Sequence, residues 1–315
     1  MSTTHDTLAS YTRPRDAYGP AKITTATIRF EQNLRGVLRR INAAIKRGII
    51  EEDIFGLKED TDTLAVDDPP PLETESTTRQ TTLFVAWLRE QLNSELLEVV
   101  SQNENAYIRS AYAQGIRLAT SQLQERGIDP STVDVNELVE QGNFNRGLQV
   151  LFNRTYDFLN DVAESLVTEV RDELMEGFSR GENPRKVARR LTDRVDSIGK
   201  HRATMIARTE MMNAHSEGYL NRMEDEQERQ DVDLAVSHEW TTAGDDRVCP
   251  VCKPLNGVNF TIDEMRDSTF DLDGQTWQLK PPAHPNCRCV LTPTVGLDQS
   301  DLAPLSERLP DEPQE

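Results

Sequence analysis

All four cysteines of the chain fall between positions 249 and 289, as Cys249-Pro250-Val251-Cys252 and Cys287-Arg288-Cys289. His284 precedes the second pair within Pro281-Pro282-Ala283-His284-Pro285-Asn286-Cys287. A Cys-x-x-Cys turn lets two thiolates face one tetrahedral metal ion at about 2.3 Å, while a second pair closes the shell. Residues 235–293 around them show no helical period. Trp240, Val258, Phe260, Trp277, Leu279, Val290 and Leu291 sit in short runs punctuated by Gly and Pro, the pattern of a small β-rich module. A module so poor in apolar side chains needs a staple, and metal binding supplies folding free energy directly. The spacing leaves three arrangements open. One is a structural Zn2+ site made of Cys249 and Cys252 with two or more of Cys287, Cys289 and His284. The others are two disulfides, or free buried thiols. Cys-x-Cys is a tighter bite than zinc usually takes, so His284 can stand in for one of those cysteines.

The rest of the chain is acidic and thinly apolar. Among 315 residues, 54 Asp and Glu against 35 Lys and Arg give a net charge of −19, and hydrophobic residues make up 36%. Such a chain suits a thin, elongated helical core better than a large barrel. No apolar run approaches the ~18–20 residues that span a bilayer. The opening stretch is polar, with neither an apolar h-region nor a cleavage site, so no signal peptide is expected. The negative balance argues against a general nucleic-acid-binding surface and leaves room only for a local patch. Lysine supplies only 7 of the 35 basic residues. Abundant Asp, Glu and Thr with so little Lys fits a protein kept soluble where salt has shortened the Debye length to ~3 Å or less, which points to a halophilic host. An acidic mesophilic protein is the plainer reading.

Periodicity divides the chain into an expected flexible arm (1–20), an N-terminal helical segment (21–57), a Pro-rich acidic linker (58–80), a helical body (81–234), the β-rich Cys/His module (235–293) and an acidic disordered tail (294–315). The class is α+β, an elongated, mainly helical body followed by the cysteine knuckle. A first helix is expected from Thr25 to Arg47, with Ile28, Leu34, Val37, Leu38, Ile41 and Ile45 on one face and Gly48 as C-cap. A stripe from Leu83 to Val100 and a segment from Ala106 to Gly127 follow. A short stretch over 134–150 leads into a long amphipathic helix from Leu151 to Gly177. Asn183-Pro184 reads as N-cap and first position of a short helix carrying Val187, Leu191 and Val195. A separate helix is expected from Lys200 to Glu228, with Glu224–Asp233 too acidic for burial.

No catalytic set emerges from the residue types. His201, His215 and His238 have no spacing that ties them to a nucleophile, and a helix histidine of that kind is ordinarily a surface or packing residue. Asp245-Asp246 beside the cysteines would suit a metal-dependent hydrolase, but Gly244-Asp245-Asp246 reads more simply as a turn whose side chains bond local amides. Neither a phosphate-cradling Gly-rich loop nor a Ser/His/Asp pattern is present.

Taken in order, these residues carry a resemblance. Ala207-Arg208-Thr209-Glu210, Asn213-Ala214 and Gly218 lead to Trp240, then to Asp246-Arg247-Val248-Cys249-Pro250-Val251-Cys252. Leu255-Asn256-Gly257 and Pro281-Pro282-Ala283-His284-Pro285-Asn286-Cys287-Arg288-Cys289 follow. From about Val150 to Pro293 the chain resembles the head morphogenesis domain of tailed phages, the Mu F-like minor head protein family. The resemblance implies a non-enzymatic minor capsid protein of a tailed virus, assembled in the host cytoplasm and carried in the virion, and the acidic, lysine-poor composition points to a haloarchaeal host. It implies several copies at the portal vertex, with the portal protein, the major capsid protein and packaged DNA as partners and no membrane. It also implies that Arg208, Glu210 and Asn213 form a polar constellation on a helix facing the β module, and that Asp246 and Arg247 sit beside the cysteines as binding residues. For Arg208 and Glu210 the plainer reading is an ion pair that docks the helix. Two rivals stand beside this. One is an enzyme, DNA-processing or ADP-ribosyltransferase-like, built around Arg208 and Glu210. The other is a zinc-knuckle nucleic-acid module using Arg247, Lys253, Arg266, Lys280 and Arg288.

Overall fold

The computed structural model describes residues 21, 23–51, 81–92, 94, 105–125, 127–130, 133–180, 182, 184–230, 236–295 and 302–310. The expected N-terminal arm (1–20) and Pro-rich linker (58–80) lie outside the described residues. Helices dominate: α1 (Thr24–Ile50), α2 (81–92), α3 (Ala106–Glu125), α4 (Val135–Leu138), α5 (Gly142–Ser179) and α6 (Pro184–Gln230). The C-terminal part adds β1 (Val236–Thr241), β2 (Asn259–Phe260), α7 (Ile262–Asp267), β3 (Thr269–Leu272), β4 (Gln275–Gln278), β5 (Val290–Val295) and α8 (Leu305–Arg308). The class is α+β, as the periodicity predicts. Among the described residues no helix is long and apolar enough to cross a membrane.

The chain divides into two compact units, one of residues 28–110 and 138–210, the other of 1–27, 111–137 and 211–315. The first is helical. On α1, Phe30, Leu34, Val37, Ile41 and Ile45 recur every three or four residues and are at most 2% exposed. Such a stripe faces a core at about 1.5–3 kcal/mol per buried side chain. The helix α1 runs antiparallel to α6: Asn42 Nδ2 donates to the Thr192 carbonyl at 3.0 Å, while Thr204 Oγ1 donates to Glu31 Oε1 at 2.9 Å. Helices α5 and α6 form an antiparallel hairpin, with Arg202 on Glu169 at 2.7 Å and Arg190 on Glu173. At its closed end Gly177 lets Val187 approach; a Cβ there would lie 2.6 Å from Val187 Cγ2.

The second unit joins the α3 and α6 segments to the strands. The two helices cross backbone to backbone. A Cβ on Gly115 would lie 1.9 Å from the His215 carbonyl oxygen, and one on Gly218 would lie 2.1 Å from that of Tyr112. Asn221 Nδ2 donates to Tyr112 Oη at 2.6 Å and Arg222 Nε to Thr120 Oγ1 at 3.1 Å. After α3 the chain leaves by a Schellman turn, with Ile128 N on the Leu123 carbonyl, Gly127 N on that of Gln124 and Gly127 at φ 77°. The strands form an antiparallel sheet β2-β1-β5 and a β3-β4 hairpin. The hairpin turns at Asp273-Gly274, both at positive φ (55° and 69°), as a two-residue loop of matching twist requires. Trp240, Phe260, Leu255, Leu279 and Leu291 share one core with Tyr219, Leu220 and Met223 of α6 and Leu123 of α3.

Several boundaries differ from the sequence reading. The first helix runs through Gly48 to Ile50, and α5 starts at Gly142 and passes Gly177 to reach Ser179. The two helices expected on either side of Lys200 are one helix of 47 residues. Pro184 does begin it; Asn183 lies outside the described residues. The acidic stretch from Glu224, expected as a solvated helix end or loop, is helical to Gln230, with Glu226 fully buried between Arg222 and Arg229, each at 2.8 Å. The expected disordered tail contains α8, whose Arg308 pairs with Glu264 and lies 5.7 Å from the Phe260 ring centroid.

Candidate metal centre

Two short turns aim the donors. In Cys249-Pro250-Val251-Cys252 the Cys252 amide donates to Cys249 Sγ at 3.3 Å, and the Lys253 amide donates to the Cys249 carbonyl at 3.0 Å. The chain then turns through Leu255-Asn256-Gly257-Val258. Leu255 is buried in the core, Gly257 sits at φ 83°, and Asn256 Oδ1 accepts from the Thr242 amide and hydroxyl at 3.0 and 2.7 Å. These contacts give each residue of the Leu-Asn-Gly motif a separate structural duty. On the other side, His284-Pro285-Asn286-Cys287 closes with the Cys287 amide on the His284 carbonyl at 3.2 Å, Asn286 standing at φ 64°. Proline followed by a left-handed residue is the type II turn, and it sets His284 and Cys287 on one side.

Five donors converge. His284 Nε2 lies 2.9 Å from Cys249 Sγ and 3.2 Å from Cys252 Sγ, and Cys252 Sγ lies 3.7 Å from Cys287 Sγ. Cys249, Cys252 and His284 form one group of mutually close ligand atoms, and Cys252, Cys287 and Cys289 form a second that shares Cys252. All four cysteines are free thiols, and 3.7 Å is far beyond the ~2.05 Å of a disulfide. It matches the ~3.7 Å edge of a tetrahedron of sulfurs placed at ~2.3 Å from zinc. The histidine is also oriented for ligation. His284 Nδ1 lies 2.8 Å from the Pro285 carbonyl, which can only accept, so Nδ1 carries a proton and Nε2 is the ring atom turned to the sulfurs.

The electrostatics are those of a shared proton reservoir. Hydrogen bonds from Cys252 and from His284 pull Cys249 down to about 4. Burial would make His284 less basic, but its contacts with Cys249 and Cys287 outweigh that and raise it to about 10. Cys287 is held well below an ordinary thiol by Cys252 and Cys289, whereas Cys252 is pushed up. A divalent cation would take the place of these shared protons.

Beside the cluster, Gly244 at φ 68° opens the expected turn, in which the Val248 amide bonds the Asp245 carbonyl and the Arg247 amide bonds Asp245 Oδ1 at 3.1 Å. The turn therefore belongs to Asp245, and Asp246 is exposed. Arg247 binds Asp245, as does Arg288. Arg288 contacts a carboxylate 43 residues away, and no local pattern in the sequence signals that contact. The remaining cations counted for a nucleic-acid patch are largely committed too. Arg266 bonds Glu217, Asn221 and Glu224, and Lys280 bonds Glu217.

The helix residues named with the site all lie on α6. Arg208, Glu210 and Asn213 are buried there. Glu210 is held by α5. Thr155 Oγ1 donates to it at 3.1 Å, and Arg154 stands 3.7 Å away. Burial raises its pKa against both partners. His215 is 2% exposed, and burial lowers it to about 4; Tyr219 Oη lies 3.1 Å from His238 Nδ1. His201 is exposed.

Against known proteins, no curated protein and no solved structure matches the chain. Residues 168–292, the stretch holding the α5–α6 turn, the α3-crossing part of α6 and both ligand loops, match the model of a family described as Phage Mu protein F like protein. The cysteine turns and the Gly218 crossing thus fall within the region that is similar to the Phage Mu protein F like family, and that similarity supports a phage head morphogenesis family.

Proposed function

We propose that this chain is a structural minor capsid protein of a tailed virus, acting at the portal vertex during head assembly or DNA packaging. The observation that carries it is the match over 168–292, in which the motif residues serve as joints of the fold. In this reading the centre holds one structural Zn2+ through Cys249, Cys252 and His284, with Cys287 or Cys289 as fourth ligand. The ion would close two loops whose donors lie more than thirty residues apart in sequence. A non-enzymatic role is supported by the burial of His215 and Glu210, which are positioned as packing and docking groups. The pairing of Arg247, Arg266, Lys280 and Arg288 with carboxylates weighs against a nucleic-acid knuckle, since a phosphate would have to displace those partners. The portal protein and the major capsid protein are the partners, in several copies per virion. The low lysine content supports a halophilic host.

The test is cross-linking mass spectrometry on purified virions, with zinc measured in the same protein purified without chelators. Cross-links to the portal protein and one zinc per chain are expected. Absence from virions, or turnover of DNA or of an ADP-ribosyl donor by the wild type, overturns the capsid reading. Absence of zinc overturns the metal reading alone.

A further inference from the structure

Asp245 ties together the two segments that carry the ligands. Its carboxylate accepts two parallel bonds from Arg288, Nη1 to Oδ2 at 2.8 Å and Nη2 to Oδ1 at 2.6 Å. Oδ2 also accepts from the Arg247 side chain, whose Nε and Nη2 lie 3.1 and 2.5 Å away. Arg288 stands between Cys287 and Cys289, and its side chain is only 10% exposed. Asp245 stands four residues before Cys249, within the turn that feeds the Cys-x-x-Cys loop. A bidentate guanidinium–carboxylate pair fixes distance and orientation together, and it needs no metal to form.

We infer that Asp245 and Arg288 are positioning residues that clamp the two ligand loops together and so govern how long the centre retains its ion. The inference rests on the metal reading above and concerns residues that would not touch the ion. A metal leaves a multidentate site one ligand at a time. A thiolate that lets go while the clamp holds stays within reach and rebinds; without the clamp, the 287–289 segment swings away from the 249–252 loop. Charge alone predicts a different pattern. Three thiolates, one neutral imidazole and Zn2+ sum to −1, and Asp245 with Arg247 and Arg288 sums to +1 beside them. Removing the Asp245 charge would then favour the thiolates and slow release, whereas loss of the tether speeds it.

The experiment uses the full chain loaded with Co2+ for its spectrum and with Zn2+ for stopped-flow release to a chromophoric chelator. The clamp predicts that Asp245→Asn and Arg288→Ala both speed release, by about 10–100-fold on the scale seen for residues that orient metal ligands. Arg288→Lys, which keeps the charge but loses the fork, should fall between them and wild type. The thiolate-to-cobalt bands should be unchanged in all three, since the ligands are the same. The double variant Asp245→Asn/Arg288→Ala should release no faster than the faster single one. Slower release from Asp245→Asn, or release within about twofold of wild type in both single variants, overturns the clamp. So does a lower melting temperature of the metal-free protein with release unchanged, the mark of a merely structural pair. If the wild type takes up no metal at all, the metal reading itself has failed.

Discussion

In the helical unit, Phe30, Leu34, Val37, Ile41 and Ile45 repeat along α1, and Leu159, Leu166, Val170 and Leu174 do the same along α5. Each helix announces its buried face within a few turns. In the mixed unit the core is gathered from Ala119, Tyr219, Trp240, Phe260, Leu279 and Leu291, positions that no local period connects. Polar joints do the aligning there: Arg266 on Glu217, Asn221 and Glu224, the Asp245 turn, and the Cys/His cluster. A stripe distributes its stabilisation over many interchangeable contacts, whereas joints concentrate it in a few side chains. The two units should therefore fail differently when damaged.

The sharpest way to break that contrast is to change Cys252→Ser, since Cys252 belongs to both donor groups. Amide hydrogen exchange should show protection collapsing over 236–295 while α1 keeps most of its own. Uniform loss across both units would mean that they do not differ as described. A smaller effect is expected from Gly218→Ala. Its methyl would meet the Tyr112 carbonyl at 2.1 Å, a backbone atom that cannot rotate away, so denaturant unfolding should register a loss of about 1–3 kcal/mol or more. Gly36, whose nearest neighbour is the Arg40 side chain at 3.9 Å, serves as the control, and Gly36→Ala should be neutral or stabilising. The third test is pH. His215 is held neutral in the fold, at about 4 against an ordinary 6.5, so the unfolded chain binds its proton first. The stabilisation is complete above pH 6.5 and is lost as pH falls from there toward 4, by up to about 3 kcal/mol. Urea midpoints of wild type and His215→Gln should converge on acidification. Parallel curves would sink the assignment, and the difference between the proteins removes the common effect of proton competition at the thiols.

How much could be read from the sequence follows the same division. Stripes were legible, and so were the Schellman glycine at 127, the Pro184 start and the cysteine donors, because each signal is local. The break expected near Lys200 is absent, and Gly199 lies within α6. A mid-helix glycine costs only about 1 kcal/mol, less than the buried positions Leu191, Val195, Ala203 and Ile206 recover by staying in one helix. Reading Glu224–Asp233 as too acidic to bury counted charges without their partners. Arg222 and Arg229 lie one turn to either side of Glu226 and make its burial tolerable. His284 was legible as a donor, and Pro285-Asn286 carries a turn signal that explains its aim. Asp245–Arg288 and Glu217–Arg266 join residues 43 and 49 positions apart, and a single sequence holds no record of such pairings.

Glu264 shows what such joints imply for the drift of these sequences over time. Its carboxylate accepts from the Thr261 amide at 2.9 Å to complete the capping box of α7, and it also receives Arg308 from α8. One residue thus answers to two constraints, one three positions away and one 44. A lineage that loses Arg308 would leave Glu264 free to become Gln, which caps as well, whereas a lineage that changes Glu264 first leaves Arg308, still bonded to the Ala303 and Asn259 carbonyls, without its counter-charge. Substitutions at these positions should accumulate in a preferred order, with the C-terminal arginine lost before the glutamate.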